Sequence, residues 1–512
     1  MNDIKKNRNN LIINMTSYAI MQIVNMLIGL LLPRCYLAIY GSEINGIIST
    51  TNSFISYFSY LEAGIGLTLI HSLFKPLTEN NAEQTNSILS FSQRQYQHIS
   101  EIYLVLVVVL SLFFPLFSSS DALGRWEFAS LVFVIGIYGA LDFLTMAKYR
   151  VLLTADRKEY VISIAFIVAQ LLHFCFVWLL LQFNISVVLV KSVPILTLLV
   201  RSLILMVYVK RNYPGVNYDV PLTHDLSLTG SRWDALLLQI SINTSISLPT
   251  IIISQVLGFM EANVYAVYSM IALAVISIVS ALSSGVAPKI GQSLSRGIDI
   301  SELYKIYEFA ISLIIAIVFS TMLIMMIPFI KLYTNVINDI NYICPLYAIF
   351  ISVWAALYSY RIPMTAVINA AGIYKESRTA NIVNIVFQFV AGIVGGLFFG
   401  INGVLVVMII ASIQRNVWYG YITKKYLSHY DIKTNILFQC LILFIIIANG
   451  YYFINFMTQL TLSALQWIIV AFFVLLIEAM LCMALFIIMK YRLAKLALHK
   501  IIPAIPYLSP AD

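Results

Sequence analysis

Long apolar runs separated by short polar segments fill almost the whole chain. Fourteen of them reach about 20 residues, the length that a helix needs to cross the roughly 30 Å hydrocarbon core of a bilayer. A membrane β-barrel would instead show short segments of alternating polarity. The pattern therefore predicts an all-α protein with fourteen transmembrane helices. The predicted spans lie at about 11–32, 44–70, 101–118, 126–147, 160–182, 185–208, 235–257, 262–284, 306–330, 343–368, 379–399, 402–423, 434–456 and 463–489.

Composition agrees with this pattern. Only 11% of the 512 residues are charged, 61% are apolar, and the mean hydropathy is +0.90. Because a soluble domain carries about 25% charged residues, a chain this apolar needs lipid around it. The opening segment MNDIKKNRNN is basic and polar, but a long span follows it without a small-residue cleavage site. We therefore expect an integral membrane protein without a removable signal peptide.

Lysine and arginine are distributed unevenly between the two sides. An even number of spans places both termini on one side, and the segments on that side hold 24 of the 31 basic residues. The opposite loops hold three, Arg34, Arg125 and Lys331, and the remaining four fall inside spans. Because cytoplasmic segments are enriched in these residues, both termini are predicted to be cytoplasmic.

Three predicted cytoplasmic connections, 71–100, 209–234 and 285–305, are longer than the others. The first and the third combine apolar residues at helical spacing with mixed charge. That combination fits either short helices on the inner leaflet or solvated linkers.

The chain also contains an internal sequence repeat, in which residues of the first spans recur in later spans. Six spans separate the two copies, so they have the same orientation, which indicates parallel repeats about an axis along the membrane normal. We predict an N-terminal six-helix lobe at 1–210, a C-terminal six-helix lobe at 211–425, two further helices within 426–490 and a cytoplasmic tail at 491–512. A shift of 218 residues pairs Asn25 with Asn243, Glu43 with Glu261 and Asn45 with Asn263, and small gaps pair Pro33 with Pro249 and Gly41 with Gly258.

Polar residues form one helical stripe on span 1 and another on span 7. Hydrocarbon offers these groups no partner, so the stripes face either neighbouring helices or a wet cavity. The occurrence of stripes on both repeat-equivalent spans favours a shared cavity, to which Asn25 and Asn243 would contribute. The stripes are Asn14, Tyr18, Gln22, Asn25 and Gly29 on span 1, and Gln239, Asn243, Ser247 and Thr250 on span 7.

Ionisable residues in the spans indicate a negatively charged ligand. A charge at the bilayer centre costs about 2.5–3.5 kcal/mol on insertion scales, so it usually has a partner or a function. The bases exceed the acids, although snorkelling toward the headgroups is an alternative explanation for the bases. Asp142 has the alternative of pairing with Lys148 or Arg150, and Pro194 is expected to interrupt the helix between Lys191 and Arg201. The bases are Lys191, Arg201, Arg361 and Arg415 inside spans and Arg34 at the outer rim of span 1, and the acids are Glu62, Asp142 and Glu478.

Several functional classes are disfavoured by what the sequence lacks. It has no Walker loop, no acidic pair in the first outer loop and no large outer loop, which argues against an ATPase, a membrane glycosyltransferase and a polysaccharide polymerase. The five cysteines are isolated and lie in or beside apolar runs, so we interpret them as small apolar side chains and predict no metal and no cofactor. The basic residues lie in loops between spans, and no nucleic acid is expected. The cysteines are Cys35, Cys175, Cys344, Cys440 and Cys482.

A stretch of about 50 residues resembles the opening of Wzx-type polysaccharide repeat-unit flippases. These form the polysaccharide transporter branch of the multidrug/oligosaccharidyl-lipid/polysaccharide exporter superfamily. The span count, the short loops and the two-lobe repeat extend the resemblance over the chain. The matching motifs are Pro33-Arg34, Tyr40-Gly41-Ser42-Glu43-Ile44-Asn45-Gly46, Ser59-Tyr60 with Gly64-Ile65-Gly66, and Phe74-Lys75-Pro76-Leu77.

The resemblance implies a non-enzymatic flippase in the bacterial inner membrane. It would move undecaprenyl-diphosphate-linked oligosaccharide repeat units of O-antigen or capsule to the outer leaflet, by alternating access through a cationic central cavity. The five bases would meet diphosphate or acidic sugar, and Glu62, Asp142 or Glu478 would carry the coupling charge. The implied partners are this lipid-linked oligosaccharide, H⁺ or Na⁺, membrane lipids and a polysaccharide polymerase.

Other functions stay open at this point. A lipid II flippase would also favour a cationic cavity. A multidrug exporter of the same superfamily would favour intramembrane acids, the opposite of the balance here. A membrane glycosyltransferase or polymerase is the alternative from a different class.

Overall fold

The structure is a computed structural model that describes residues 2–62, 65–183, 185–218, 220, 232–284, 286, 290–293, 296, 300–427 and 430–489. Some features of the sequence lie outside this part of the chain. They are Gly64 of the family-like motif, the tail 491–512 and much of the connections 209–234 and 285–305.

The described residues form helices and no strands, as the long apolar runs predict. A 3₁₀ turn, Ser59–Glu62, follows the first helix. The helices are α1 (Asn2–Phe58), α2 (Ile65–Thr78), α3 (Ala82–Phe117), α4 (Arg125–Thr145), α5 (Ala147–Ala155), α6 (Glu159–Leu181), α7 (Val187–Val190), α8 (Val193–Asn212), α9 (Arg232–Val256), α10 (Phe259–Ser284), α11 (Ser301–Tyr333), α12 (Pro345–Tyr360), α13 (Ile362–Ala371), α14 (Tyr374–Tyr426), α15 (Ile432–Gln459) and α16 (Ala464–Met489).

Eleven helices in the described part of the chain are long and apolar enough to cross a membrane. Two of them, α1 with 57 residues and α14 with 53, are each long enough for two crossings at about 1.5 Å per residue. Each bends at a glycine with positive φ, Gly41 or Gly400. The predicted span 343–368 is a helix broken at Arg361, between α12 and α13. All fourteen predicted spans therefore correspond to helical structure, and the all-α membrane fold is confirmed.

The helices separate into two compact units, Met1–Asn243 and Thr244–Asp512, called unit 1 and unit 2 below. Unit 1 contains α1 to α8 and the beginning of α9. Unit 2 contains the rest of α9 and α10 to α16. The lobe boundaries at 210, 425 and 490 stay predictions.

Gly41 and Gly258 turn the chain after the first span of each predicted repeat. Their φ angles are 79° and 111°, in a region that residues with a side chain rarely adopt. The asparagines that follow them, Asn45 and Asn263, are 4% and 0% exposed. In both copies a glycine with positive φ is followed, four or five residues later, by a buried asparagine, which agrees with the predicted repeat.

The segment between the second and third spans is helical over most of its length, which agrees with the helical interpretation of 71–100 rather than with a solvated linker. Leu89 and Tyr96 are buried in the same apolar cluster as residues of α2 and α5. Its polar residues are used locally, since the Ser90 hydroxyl donates to the Val220 carbonyl at 2.8 Å. The helical spacing of its apolar residues thus reflects packing inside unit 1, and a position at the inner leaflet stays a prediction.

In unit 2, α11 lies against α10, α12, α15 and α16. Three phenylalanines fix the last two helices to it: the Phe309 ring centre lies 6.0 Å from that of Phe438 and 5.7 Å from that of Phe486. Such edge-on aromatic pairs add about 0.5–1.5 kcal/mol each beyond the area they bury. The two C-terminal helices therefore pack as part of unit 2.

Two residues of the family-like motif hold loops in unit 1. The Tyr40 hydroxyl donates to the Ile185 carbonyl at 2.6 Å. The Glu43 carboxylate accepts from the Ser120 hydroxyl at 2.6 Å and from the backbone N–H groups of Asp121 at 2.9 Å and Ala122 at 3.4 Å. Glu43 thereby orders the turn between α3 and α4.

Replacement of Glu43 by alanine is expected to destabilise unit 1. Loss of the carboxylate leaves the three donors of the α3–α4 turn without their acceptor, at a cost of about 1–3 kcal/mol. The measurement is the thermal unfolding midpoint of the detergent-solubilised protein. Glu79→Ala is the matched control, because its carboxylate lies 3.9 Å from Lys75 Nζ on the exposed surface, where such pairs contribute about 0–1 kcal/mol. Equal midpoints for the two variants would contradict the role of Glu43.

Candidate functional site

A polar cavity lies inside unit 1, lined by α1, α4, α6, α8 and the break between α7 and α8. It has two neighbouring compartments of about 190 and 240 Å³. The compartments share Asn52, Gln170, His173 and Lys191 as lining residues. The shared walls make them parts of one site, called the unit 1 cavity below.

The break between α7 and α8 places Lys191 at this cavity. The short helix α7 ends there, and α8 starts with Pro194 in its first turn, where proline is tolerated because that N–H has no helical partner. The predicted interruption between Lys191 and Arg201 is therefore confirmed. The Lys191 ammonium lies 3.6 Å from the centre of the Tyr36 ring, within the range of a cation–π interaction.

Arg201 reaches the same cavity from α8. Its side chain is buried, with the guanidinium carbon 5.1 Å from the centre of the Phe166 ring. One nitrogen lies 3.8 Å from an Asp142 carboxylate oxygen, whereas Nε has no hydrogen-bond partner. Arg201 thus joins the cavity to a charged cluster behind it.

That cluster contains two of the predicted acids. Asp142 pairs with Arg150 at 2.8 Å, as one of the two interpretations from the sequence expected. Burial lowers the pKa of the Arg150 guanidinium, but the charges of Asp142 and Glu62 outweigh this effect and raise its pKa above the usual value. Glu62 accepts from the Tyr96 hydroxyl at 2.7 Å. A side chain at Gly66 would meet both of these groups at 3.1 Å, which accounts for the motif glycine.

Amide side chains form much of the remaining wall. Gln170 donates to the Asn25 side-chain oxygen at 3.3 Å, so the predicted residue Asn25 lies at the cavity. His173 lies 3.4 Å from Gln170, and its Nε2 has no hydrogen-bond partner. Amides and imidazoles both donate and accept, which suits the hydroxyl groups of a sugar.

The charged residues that line the two compartments are basic, namely Lys191 and Arg201. Asp142 touches Arg201 from outside the cavity. An anion that enters therefore meets cations, amides and aromatic rings, and no carboxylate from the part of the chain that the structure describes.

Two other predicted residues of unit 1 lie elsewhere. Arg34 is half-buried on α1 and lines neither compartment, although its neighbours Pro33 and Tyr36 do. Asn243 is buried and donates to the Ser56 hydroxyl at 2.9 Å. The stripe on span 1 also divides, because Asn14 accepts from the backbone N–H of Tyr160 at the start of α6.

In unit 2, Arg415 is buried in a polar network. It donates to the Ser245 hydroxyl at 2.5 Å, and the same oxygen accepts from Gln388 at 3.0 Å. Gln388 in turn donates to Asn384. Arg415 therefore ties α14 to α9. Arg361 lies at the break between α12 and α13 and lines a separate cavity of unit 2.

Two buried acids of unit 2, Glu478 and Glu308, have neutral partners. Glu478 is buried and accepts from the Asn449 amide at 3.0 Å. Glu308 is 3% exposed, and it accepts from the Asn435 amide at 2.5 Å and the Tyr360 hydroxyl at 3.1 Å. No basic side chain among the described residues lies within salt-bridge distance of either carboxyl group. A proton added to such a carboxyl group meets no resident positive charge.

No family sequence model and no curated protein matches the chain, but solved structures do. A lipid II flippase MurJ in an inward closed conformation aligns with a TM-score of 0.64 at 14% identity, over 92% of this chain and 98% of that one. An inward-facing multidrug resistance MATE family transporter of the MOP superfamily aligns at 0.62 and 13%, over 82% and 99%. A Vibrio cholerae MATE transporter aligns at 0.53 and 16%, over 81% and 98%. This chain has the fold of MurJ and the MATE transporters.

Several residues of the sites in this MurJ- and MATE-like fold were not predicted from the sequence. Glu101, Glu127 and Glu308 lie inside the predicted spans 101–118, 126–147 and 306–330. The sequence analysis left out these three acids, and with them included the spans hold no excess of bases. His173 and Gln170 are three residues apart in an apolar helix, a signal that places them on one face. Tyr36 and Asn52 gave no such signal, because only the packing of α1 against α6 and the α7–α8 break assigns them to the cavity.

Proposed function

We propose that the protein is a flippase for undecaprenyl-diphosphate-linked oligosaccharide repeat units of O-antigen or capsule. It would move them from the cytoplasmic to the outer leaflet of the bacterial inner membrane by alternating access. Both termini would be cytoplasmic, and a polysaccharide polymerase would use the translocated units. No covalent chemistry is required of the protein.

The observation that carries this proposal is the chemistry of the unit 1 cavity. Lys191 and Arg201 supply positive charge in a site without a lining carboxylate. Charged groups are costly in a membrane and are retained where they meet a ligand or a partner. Phosphate oxygens form strong charge-assisted hydrogen bonds with such bases, and the amides of Asn25 and Gln170 suit sugar hydroxyls. A diphosphate-linked sugar combines both requirements.

Lipid II flipping is the second candidate, because lipid II carries the same diphosphate linkage to a sugar. The motif around Gly41 and Lys75 favours the repeat-unit substrate over it. Multidrug export is less well supported, since an organic cation would be repelled by Lys191 and Arg201.

Coupling to H⁺ or Na⁺ is part of the proposal. Asp142 is already paired with Arg150 and Arg201, so its charge is balanced within unit 1. Glu308 and Glu478 have amide and hydroxyl donors instead, which makes them the better candidates for a carboxyl group that gains and loses a proton. Glu62 accepts from the Tyr96 hydroxyl and its charge also interacts with that of Arg150, so it is intermediate between these cases.

Replacement of Lys191 by methionine is expected to lower the rate of flipping about tenfold or more, because a hydrogen bond from a charged donor contributes about 1.5–3 kcal/mol and 1.4 kcal/mol is a factor of ten. The assay uses proteoliposomes that contain the lipid-linked oligosaccharide, together with restoration of surface glycan in a host that lacks the gene. Lys425→Met is the matched control, because Lys425 is exposed and pairs with Glu376 at 3.0 Å.

Two results would contradict the proposal. Normal flipping by Lys191→Met would remove the unit 1 cavity from the substrate path. Unchanged surface glycan after deletion of the gene would overturn the substrate, and flipping of lipid II would then be measured in the same vesicles.

Replacement of Glu308 by glutamine is expected to make transport insensitive to an imposed pH gradient, because the amide keeps the hydrogen-bonding shape of a protonated carboxyl group and cannot release the proton. The initial flipping rate is compared with and without the gradient. Glu376→Gln serves as the control, since Glu376 contacts the exposed Lys425. If Glu308→Gln responds to the gradient as the wild type does, Glu308 carries no coupling proton.

A further inference from the structure

A second polar cavity lies inside unit 2, at the break between α12 and α13. Its volume is about 180 Å³, and the C-terminal end of α10 and the beginning of α11 form its other walls. Its lining includes the polar side chains of Arg361, Tyr307 and Thr365. The predicted topology puts these helix ends on the cytoplasmic side.

The guanidinium of Arg361 is held in place at this cavity. Arg361 is 7% exposed, its Nε donates to the Tyr358 carbonyl at 3.1 Å, and its guanidinium carbon lies 3.8 Å from the centre of the Tyr358 ring. Its Nη1 is buried and has no hydrogen-bond partner. A buried, charged donor without an acceptor is costly, so the position of this group is matched to something that enters the cavity.

Two hydroxyl groups share this condition. Tyr307 Oη and Thr365 Oγ1 line the same cavity, and both are buried without a hydrogen-bond partner. The three groups come from three different places, the start of α11, the α12–α13 break and the first turn of α13.

The charge of the site is positive. Among the described residues, Arg361 is the charged residue in its lining, and no carboxylate of that part of the chain lines it. Arg415 lies close enough for its charge to interact with that of Arg361. A water molecule could bond to these donors but would leave the positive charge unbalanced. A tetrahedral oxyanion accepts from a guanidinium and two hydroxyls at once and balances the charge.

We infer that the unit 2 cavity is a binding site for a phosphate group, with Arg361 as the charged ligand and Tyr307 and Thr365 as hydroxyl donors. Two sources share this chemistry: the diphosphate of a lipid-linked sugar, and the headgroup of an inner-leaflet phospholipid. The first source rests on the proposed function, whereas the existence of the site does not.

The test measures the binding of inorganic pyrophosphate to the purified full-length protein by calorimetric titration. The protein is kept in a maltoside detergent without phosphate. The wild type is expected to bind, and Arg361→Gln to weaken this binding tenfold or more. Tyr307→Phe and Thr365→Val each remove only a hydroxyl and are expected to weaken it two- to fivefold. They test the site even if Arg361→Gln does not fold.

Lys191→Met separates this inference from the proposed function. It removes a base from the unit 1 cavity and is expected to leave intact the part of the pyrophosphate binding that depends on Arg361. If Arg361→Gln, Tyr307→Phe and Thr365→Val all bind pyrophosphate as the wild type does, the unit 2 site is wrong, whatever Lys191→Met does. Absence of any binding to the wild type would overturn it as well.

The source of the phosphate follows from a second titration in nanodiscs that contain phosphatidylglycerol. If the wild type binds pyrophosphate more weakly in the nanodiscs than in maltoside, and Arg361→Gln binds it equally in both, the site belongs to a phospholipid headgroup. Equal binding in both environments assigns it to the diphosphate of the transported lipid.

Discussion

Hydrocarbon gives a polar side chain no water to bond with, and the placement of polar groups in this protein follows from that constraint. Glu308 is surrounded by the donors of Asn435 and Tyr360, and Arg415 by Ser245 and its network. These groups are satisfied and hold helices together. Lys191, Arg201 and Arg361 differ because they line cavities, and two of the three keep a nitrogen without a partner. Charged groups with hydrogen-bond partners therefore stabilise the fold, whereas charged groups that line cavities are available to a ligand.

Breaks in the helices create the sites that those charges occupy. Lys191 directly follows α7, Pro194 lies in the first turn of α8, and Arg361 lies between α12 and α13. In a continuous helix, neither side chain would lie beside a gap in the backbone ladder. Interrupted spans instead leave room for a ligand beside a charged side chain, an arrangement that transporters tolerate because the freed backbone lies against protein rather than lipid.

The fold could be predicted almost completely from the sequence, because span length and apolar composition are local properties. The break at Pro194 and the pairing of Asp142 with Arg150 were also accessible, since both depend on residues close in the chain. The packing of the helices over 71–100 was not, because their partners include the segment that follows α8. Glu308 shows the same limit: its amide partner Asn435 lies 127 residues later. Arg34 is the clearest motif residue among the predicted bases, yet it lines neither compartment of the unit 1 cavity.

The central claim is that the cationic unit 1 cavity receives the diphosphate of a lipid-linked sugar. The most direct measurement is an experimental structure of the protein bound to a short-chain polyprenyl-diphosphate oligosaccharide. The account predicts that the diphosphate contacts Lys191 or Arg201 and that the sugar lies against Asn25 and Gln170. A ligand bound in unit 1 away from both bases, or an empty unit 1 cavity at saturating ligand, would contradict it.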